Sequence, residues 1–221
     1  MSAISRSRPV DKSRAITQWC AGRTVLHVGC ANSPNTVRRM RMGTLLHADL
    51  VRVAAAVDGI DIDEEGLAEM RRAGFASVHR ADAKSLGGPV AGLRERYDVV
   101  VLGDVIEHDG DPQGLLAAAL TRVAPHGEII VSVPNAFYLW GFVRVLLGNE
   151  VTHPEHVAYY SQSNLRELFA RLGLEIREMR GYYEPSAGRS PIVRALKAAE
   201  RGLLAVFPGV SAGIVCRAGV A

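Results

Sequence analysis

The chain has 221 residues, 48% of them hydrophobic and 22% charged, with a net charge of +3. That is enough chain for one α/β domain with a sizeable core, and the composition excludes a disordered or fibrous protein. The small net charge and the lack of a dense basic block exclude nucleic acid as an expected partner, since the cluster Arg38, Arg39 and Arg41 reads as a solvated helix face.

In chain order, Met1 to Arg14 is polar and has no apolar signal core. Residues 1–10 are expected to fray, and Asp11 caps a short helix running to Cys20. Thr24-Val25-Leu26-His27-Val28-Gly29 reads as a buried parallel strand entering a glycine turn. Residues 32–55 are broken by Pro34 and Gly43, with a helix over 45–55. Gly59-Ile60-Asp61 ends a second strand, 56–61, on a carboxylate. Asp63 then caps a helix over 64–74 whose Leu67 and Met70 face inward. A short strand covers 77–80, and the unbroken apolar run 98–102 is a strand with both faces covered. Asp111-Pro112 starts a helix with Leu115, Leu116, Leu120 and Val123 as its inner stripe.

Pro125-His126-Gly127 turns the chain into a strand over 128–133. The most apolar run, Phe137 to Gly148, contains Arg144 and is too short to span a bilayer. Tyr138, Trp140 and Phe142 within it read either as a lid over an acceptor or as plain core packing. A helix over 164–172 stops at Gly173, and a strand covers 174–179. A helix over 192–206 carries Arg194, Lys197 and Arg201 beside Leu196, Leu203 and Leu204. That pattern suits either a buried helix with a solvated edge or weak contact with an anionic membrane surface. A last strand covers 213–217. Strands alternating with helices predict a doubly wound, mostly parallel α/β sheet in one domain. Cys20, Cys30 and Cys216 are odd in number and lack metal-ligand spacing, which fits reduced thiols in a cytoplasm.

A strand, a tight turn and a second strand tipped by an acid is how such a sheet holds a nucleoside. Gly29 lets the backbone approach the ligand, and Asp61 accepts hydrogen bonds from ribose hydroxyls. Asp49 competes for that role on spacing, but Leu50, Val51 and Val53 follow it without a turn.

Further motifs carry a resemblance. His27-Val28-Gly29-Cys30-Ala31 resembles the first motif of class I S-adenosylmethionine-dependent methyltransferases, usually an acid, an apolar residue and G-C-G. Gly59-Ile60-Asp61-Ile62 resembles their ribose motif, and Ala81-Asp82-Ala83 the one along adenine. Asp104-Val105-Ile106-Glu107-His108 is similar to the motif after the fourth strand in the ubiquinone-type branch, methyltransferase type 11 or 23. Val123-Ala124-Pro125-His126-Gly127, Ser132-Val133-Pro134-Asn135, and His156 with Tyr159-Tyr160-Ser161 extend the likeness. The chain departs from the pattern at His27, where the acid is usual, and at Ala31 and Ser33, where glycines are.

The resemblance implies a Rossmann-like sheet of seven strands, the last antiparallel, with an acceptor-site or lid insertion at about 136–162. It implies S-adenosylmethionine as cofactor, bound by Val28, Gly29, Cys30, Ala31, Asp61, Ile62, Asp82, Ala83, Gly103 and Asp104. Backbone N–H groups of Cys30 and Ala31 would serve the cofactor's amino-acid end, while the Cys30 thiol packs. It implies O-methylation of a small molecule or of a glycan or lipid-linked precursor. His108 is then a candidate base, and His156 or Tyr160 closes the pocket. A structural pairing of Glu107 with His108 explains that dipeptide equally well. No compact spacing supports a metal site from Glu107, His108, His153 and His156, and none is expected.

Two other functions compete. A nicotinamide-dependent oxidoreductase would need G-x-G-x-x-G and a Tyr-x-x-x-Lys pair, and neither is present. A non-catalytic protein keeping the fold rests on the altered first motif alone. The acceptor and the oligomeric state cannot be read from the chain.

Overall fold

The computed structural model describes residues 7–150, 152–183 and 190–220. Its sheet is built from β1 (Val10–Asp11), β2 (Thr24–Val28), β3 (Ala56–Asp61), β4 (Val78–Arg80), β5 (Tyr97–Gly103), β6 (Val123–Pro134), β7 (Leu174–Tyr183) and β8 (Gly213–Val220). Their order across the sheet is β1-β7-β8-β6-β5-β2-β3-β4. Neighbours run parallel except β8, which is antiparallel to both β6 and β7. The eighth strand, beyond the seven expected, is β1. It is two residues long, too short for any periodicity, and pairs with Tyr182 and Tyr183 of β7. Val10, expected to fray, is thereby held in the sheet, while residues 1–6 lie outside the described residues.

The helices are α1 (Lys12–Cys20), α2 (Thr36–Met42), α3 (Leu46–Val53), α4 (Glu64–Arg72), α5 (Pro112–Leu120), α6 (Leu139–Leu146), α7 (Gln162–Arg171) and α8 (Pro191–Val206). The predicted caps hold. Asp11, Asp63 and Asp111 each accept from backbone N–H groups in the first turns of α1, α4 and α5. Helix α7 starts earlier than expected because Ser161 and Asn164 make a capping box. Gly43, at φ +64, ends α2 and splits 32–55 into two helices. Pro125-His126-Gly127 is not a turn ahead of the strand. It lies inside β6, where His126 takes φ +64 and the register shifts opposite Tyr97 and Val99.

Alternate residues of the central strands face opposite layers. Leu26, Val28, Val100 and Leu102 pack with Leu116, Leu165 and Phe169 from α5 and α7. Val25, Val57, Val99 and Val101 pack with Ile16, Cys20 and Leu50 from α1 and α3. Burying each such Val or Leu contributes about 1.5–3 kcal/mol, so apolar runs on both faces favour a central, covered position. The strand order reverses between β2 and β5, and that switch point opens a crevice at their carboxyl ends.

Candidate functional site

Strand β2 runs into Gly29 at φ +74. A Cβ there would lie 2.7 Å from Val105 Cγ2, so the turn needs glycine for its conformation and for the space. Gly29 N and Cys30 N both donate to the Ile60 carbonyl, at 2.9 and 3.1 Å. Ala31 N donates to Asp61 Oδ2 at 2.9 Å, and Asp63 N to Asp61 Oδ1 at 3.0 Å. The expectation that Cys30 and Ala31 present open N–H groups is therefore corrected. The end of β3 lies against the turn and uses both donors. Cys30 is fully buried, with its Sγ 2.8 Å from where a Cβ on Gly59 would fall, and burial pushes its thiol pKa up. It packs, as the sequence indicates.

Asp61 keeps acceptor capacity, because each carboxylate oxygen carries a second lone pair. Val28 before the turn is buried, and Ile62 after Asp61 is 69% exposed, an apolar surface standing open beside the acid. Asp82 caps the short helical turn Ala83–Gly87, accepting from Lys84 N at 2.9 Å, with Ala83 buried beneath it. Asp49 lies in the first turn of α3 and pairs with Arg52, away from any strand end. A glycine that must stay glycine, an acid at the strand end and an open apolar ledge fit a nucleoside-bearing cofactor.

The first-motif departure has a partner. His27 is buried and its Nδ1 lies 3.3 Å from Nδ1 of His47 on α3. Burial, then the facing imidazole, holds His27 well below the usual histidine range, and burial takes His47 down to about 4. A neutral imidazole pair stands where an acid is usual.

Across the crevice, β5 ends at Gly103. A Cβ on Gly103 would meet Leu46 Cδ2 at 3.4 Å. Asp104 follows at φ +56. Its carboxylate pairs with Lys12 and accepts from Ser132 Oγ at 2.9 Å and from Tyr182 O–H at 3.4 Å. Burial pushes its pKa up, but the Lys12 charge and these donors outweigh it and hold the acid below the usual range. Asp104 is at the crevice as expected, but these contacts tie its carboxylate to α1, β6 and β7. Sequence reasoning missed Lys12, whose only signal is its rarity among the basic residues. Glu107 is fully buried, and neither carboxylate oxygen has a hydrogen-bond partner among the described residues. Burial, then the Asp104 charge, raises its pKa to about 8, so it is mostly protonated at neutral pH. It makes no ion pair with His108.

The Glu107 carbonyl accepts from Val157 N at 2.9 Å and Ala158 N at 3.2 Å. These bonds pin the segment after α6 onto the loop after β5. They bring His153 and His156 against His108, with ring centroids 5.7 and 4.7 Å from it. Linear spacing carried no support for such a cluster; the fold brings together three of the four candidate residues, while the Glu107 carboxyl stays out. Burial first, then His108 and His153, lower the His156 pKa. Tyr160 is corrected from a pocket residue to an internal prop. It is buried, its hydroxyl donates to the Ile106 carbonyl at 3.4 Å, and burial raises its pKa to about 12.

Beside the crevice lies a cavity of about 1480 Å³. Its walls are mostly apolar and include Phe137, Tyr138, Phe142, Val145, Phe207 and Val210, with His153 and His156 among the polar residues. None of the cofactor candidates lines it. Helix α6 forms one wall and buries no residue fully. Trp140 points elsewhere and donates to Glu200 of α8 at 3.2 Å. On α8, Leu204 is buried while Leu203 and Val206 are exposed, and the side chains of Arg194, Leu196 and Lys197 lie outside the described residues. No helix among the described residues is long and apolar enough to cross a membrane. All three cysteines are buried and unbridged.

A family model for a methyltransferase domain matches residues 10–179. The chain belongs to that family. This methyltransferase is 28% identical over 179 residues to a ubiquinone biosynthesis O-methyltransferase of Aromatoleum aromaticum, covering 75% of this chain and 70% of the relative. Its fold is similar to that of magnesium protoporphyrin IX methyltransferase from Synechocystis, solved with bound S-adenosylhomocysteine. There the TM-score is 0.60 at 14% identity, over 95% of this chain and 82% of the other. A methyltransferase from Thermotoga maritima, described as a possible histamine N-methyltransferase, gives a TM-score of 0.61 at 14% identity, over 94% and 87%. The methyltransferase uses S-adenosylmethionine, and the nicotinamide reading is set aside.

Proposed function

We propose that this methyltransferase methylates a hydroxyl oxygen on an amphipathic small molecule, such as a lipid-linked precursor, in the cytoplasm. The observation that carries this reading is the mostly apolar cavity whose polar residues include His153 and His156. Apolar walls favour a hydrocarbon tail over a glycan. The O-methyltransferase name of the Aromatoleum relative supports oxygen as the acceptor atom. The segment from 136 to 162, with α6, acts as the acceptor-side lid. Its exposed Phe137, Leu146 and Leu147, with Arg144 among them, support weak contact with a membrane surface.

When bound, S-adenosylmethionine supplies a methyl group on a sulfonium, a good leaving group. The chain then has to orient two partners and exclude water. Gly29 lets β2 turn tightly beneath Val105 at the crevice, Asp61 would accept from the cofactor's ribose, and Ile62 and the Asp82 turn would hold its adenine. His156 is held neutral by burial and by its neighbours, so a lone pair is available to take the acceptor's proton. His108 donates from Nδ1 to the Glu155 carbonyl at 3.2 Å, which leaves its Nε2 open for the same task.

S-adenosylhomocysteine should raise the melting temperature of the chain, because it binds the native state alone. Methyl transfer should be faster to a phenol carrying a long alkyl tail than to the same phenol without one. Stabilisation by NAD with no response to the adenosyl compound would sink the cofactor assignment, and equal rates on the two phenols would sink the acceptor class.

A further inference from the structure

We propose that His108, His153 and His156 form a binding site for one divalent transition-metal ion of the zinc type, at the wall of the acceptor cavity. Each residue offers a ring nitrogen, and these atoms all lie within 4.8 Å of one another. The three come from two segments far apart in sequence. The His108 ring stands edge-on to both of the others, while the rings of His153 and His156 stack at 4.8 Å.

The cluster is built by the backbone rather than by chance contact of exposed rings. The two bonds to the Glu107 carbonyl hold the second segment in place, and His156 N donates to the His153 carbonyl at 3.1 Å. His108 has the arrangement usual for a metal ligand. One ring nitrogen donates to a backbone carbonyl, that of Glu155, which orients the ring and leaves the lone pair of the other nitrogen outward. His153 Nδ1 takes only a long 3.4 Å bond from Glu155 N, the easiest in the cluster to give up.

The donor set selects the ion. Three imidazoles suit zinc, copper, nickel or iron(II), whereas magnesium and calcium want oxygen ligands. The Glu155 carboxylate stands 4.0 Å from His108 Nδ1 and is exposed, and the Asp104 carboxylate is committed to Lys12 and Ser132. Zinc–nitrogen bonds of about 2.0–2.1 Å require the nitrogens to draw somewhat closer than they stand. His153 is solvent-exposed and held by only one long bond, so its ring can turn toward the other two. Three protein ligands leave a fourth position open, as in catalytic zinc sites. His153 and His156 line the cavity, so that position faces the acceptor. The role toward an acceptor hydroxyl, which the ion would make more acidic in place of a free imidazole, rests on the proposed methyl transfer. The site itself does not.

The test uses the full chain, stripped with a chelator, freed of it by dialysis, and titrated with Zn²⁺ at neutral pH without cofactor or acceptor. One ion per chain is expected, and Co²⁺ should give the intense visible bands of a four-coordinate site. His153→Ala and His156→Ala should each weaken Zn²⁺ binding by at least about tenfold. His126→Asn, at the opposite end of β6, should change nothing. His153 is exposed and loses only one long bond, so its variant should keep the native melting temperature, and His153→Gln should show the same loss of binding. Failure of the native chain to bind an equivalent of Zn²⁺ or Co²⁺, or unchanged affinity in the two alanine variants, overturns the proposal. The response to S-adenosylhomocysteine is measured separately, so the two readings fail independently.

Discussion

On the β2–β3 side of the crevice, the chain closes on itself. Gly29, Cys30 and Ala31 spend their N–H groups on Ile60 and Asp61, and Asp63 and Asp82 cap the turns that follow. On the β6 side, α6 has no fully buried residue, Phe142 and Leu146 stand open, and three imidazoles crowd together. The first region is built from short local loops whose polar groups are satisfied within the chain. The second is assembled from distant segments and leaves apolar surface and lone pairs uncommitted. A cofactor that is always the same suits the first, and an acceptor that defines one particular enzyme suits the second.

The sharpest way to break this division is at the histidines. His156→Ala and His108→Ala should each lower turnover by about 10²–10⁴-fold while S-adenosylhomocysteine affinity barely changes. Calorimetry beside a methyl-transfer assay separates the two effects. A variant that loses cofactor binding together with its melting temperature would mark that histidine as a structural residue of the loop.

Glu107 sits between the two regions and gives a smaller, pH-dependent effect. Its pKa is raised from 4.5 to about 8, so between these values the native chain holds a proton that the unfolded chain has lost. Its contribution to stability is therefore full below the lower value and lost as pH rises toward the upper one. Glu107→Gln should flatten that slope, which amounts to about 1.4 kcal/mol for each pH unit between the two values. Urea unfolding between neutral and mildly alkaline pH checks this above the range where buried His27 and His47 titrate. A native slope identical to that of the variant would mean that Glu107 ionises freely.

The smallest expected effect tests the cofactor side. Asp61→Ala should weaken S-adenosylhomocysteine binding by about 1.5–3 kcal/mol. Asp49→Ala, which removes only a surface pair with Arg52, should leave affinity unchanged. The reverse pattern would move the ribose contact from the end of β3 to α3.

Much of this architecture was readable in the chain. The apolar runs in 24–29 and 98–102 mark covered strands, because burial of both faces demands them, and Asp11, Asp63 and Asp111 announce helices by satisfying the donors that start them. Gly29 and Asp61 are legible for the same local reason: a left-handed turn and an acid at a strand end are properties of a few adjacent residues. Tertiary structure alone decided the pairings between distant segments. Lys12 reaches Asp104, His47 faces His27, Tyr160 turns inward to Ile106, and the Glu107 carbonyl draws His153 and His156 to His108. Each of these depends on where the sheet order places two loops, and linear spacing carries no trace of that.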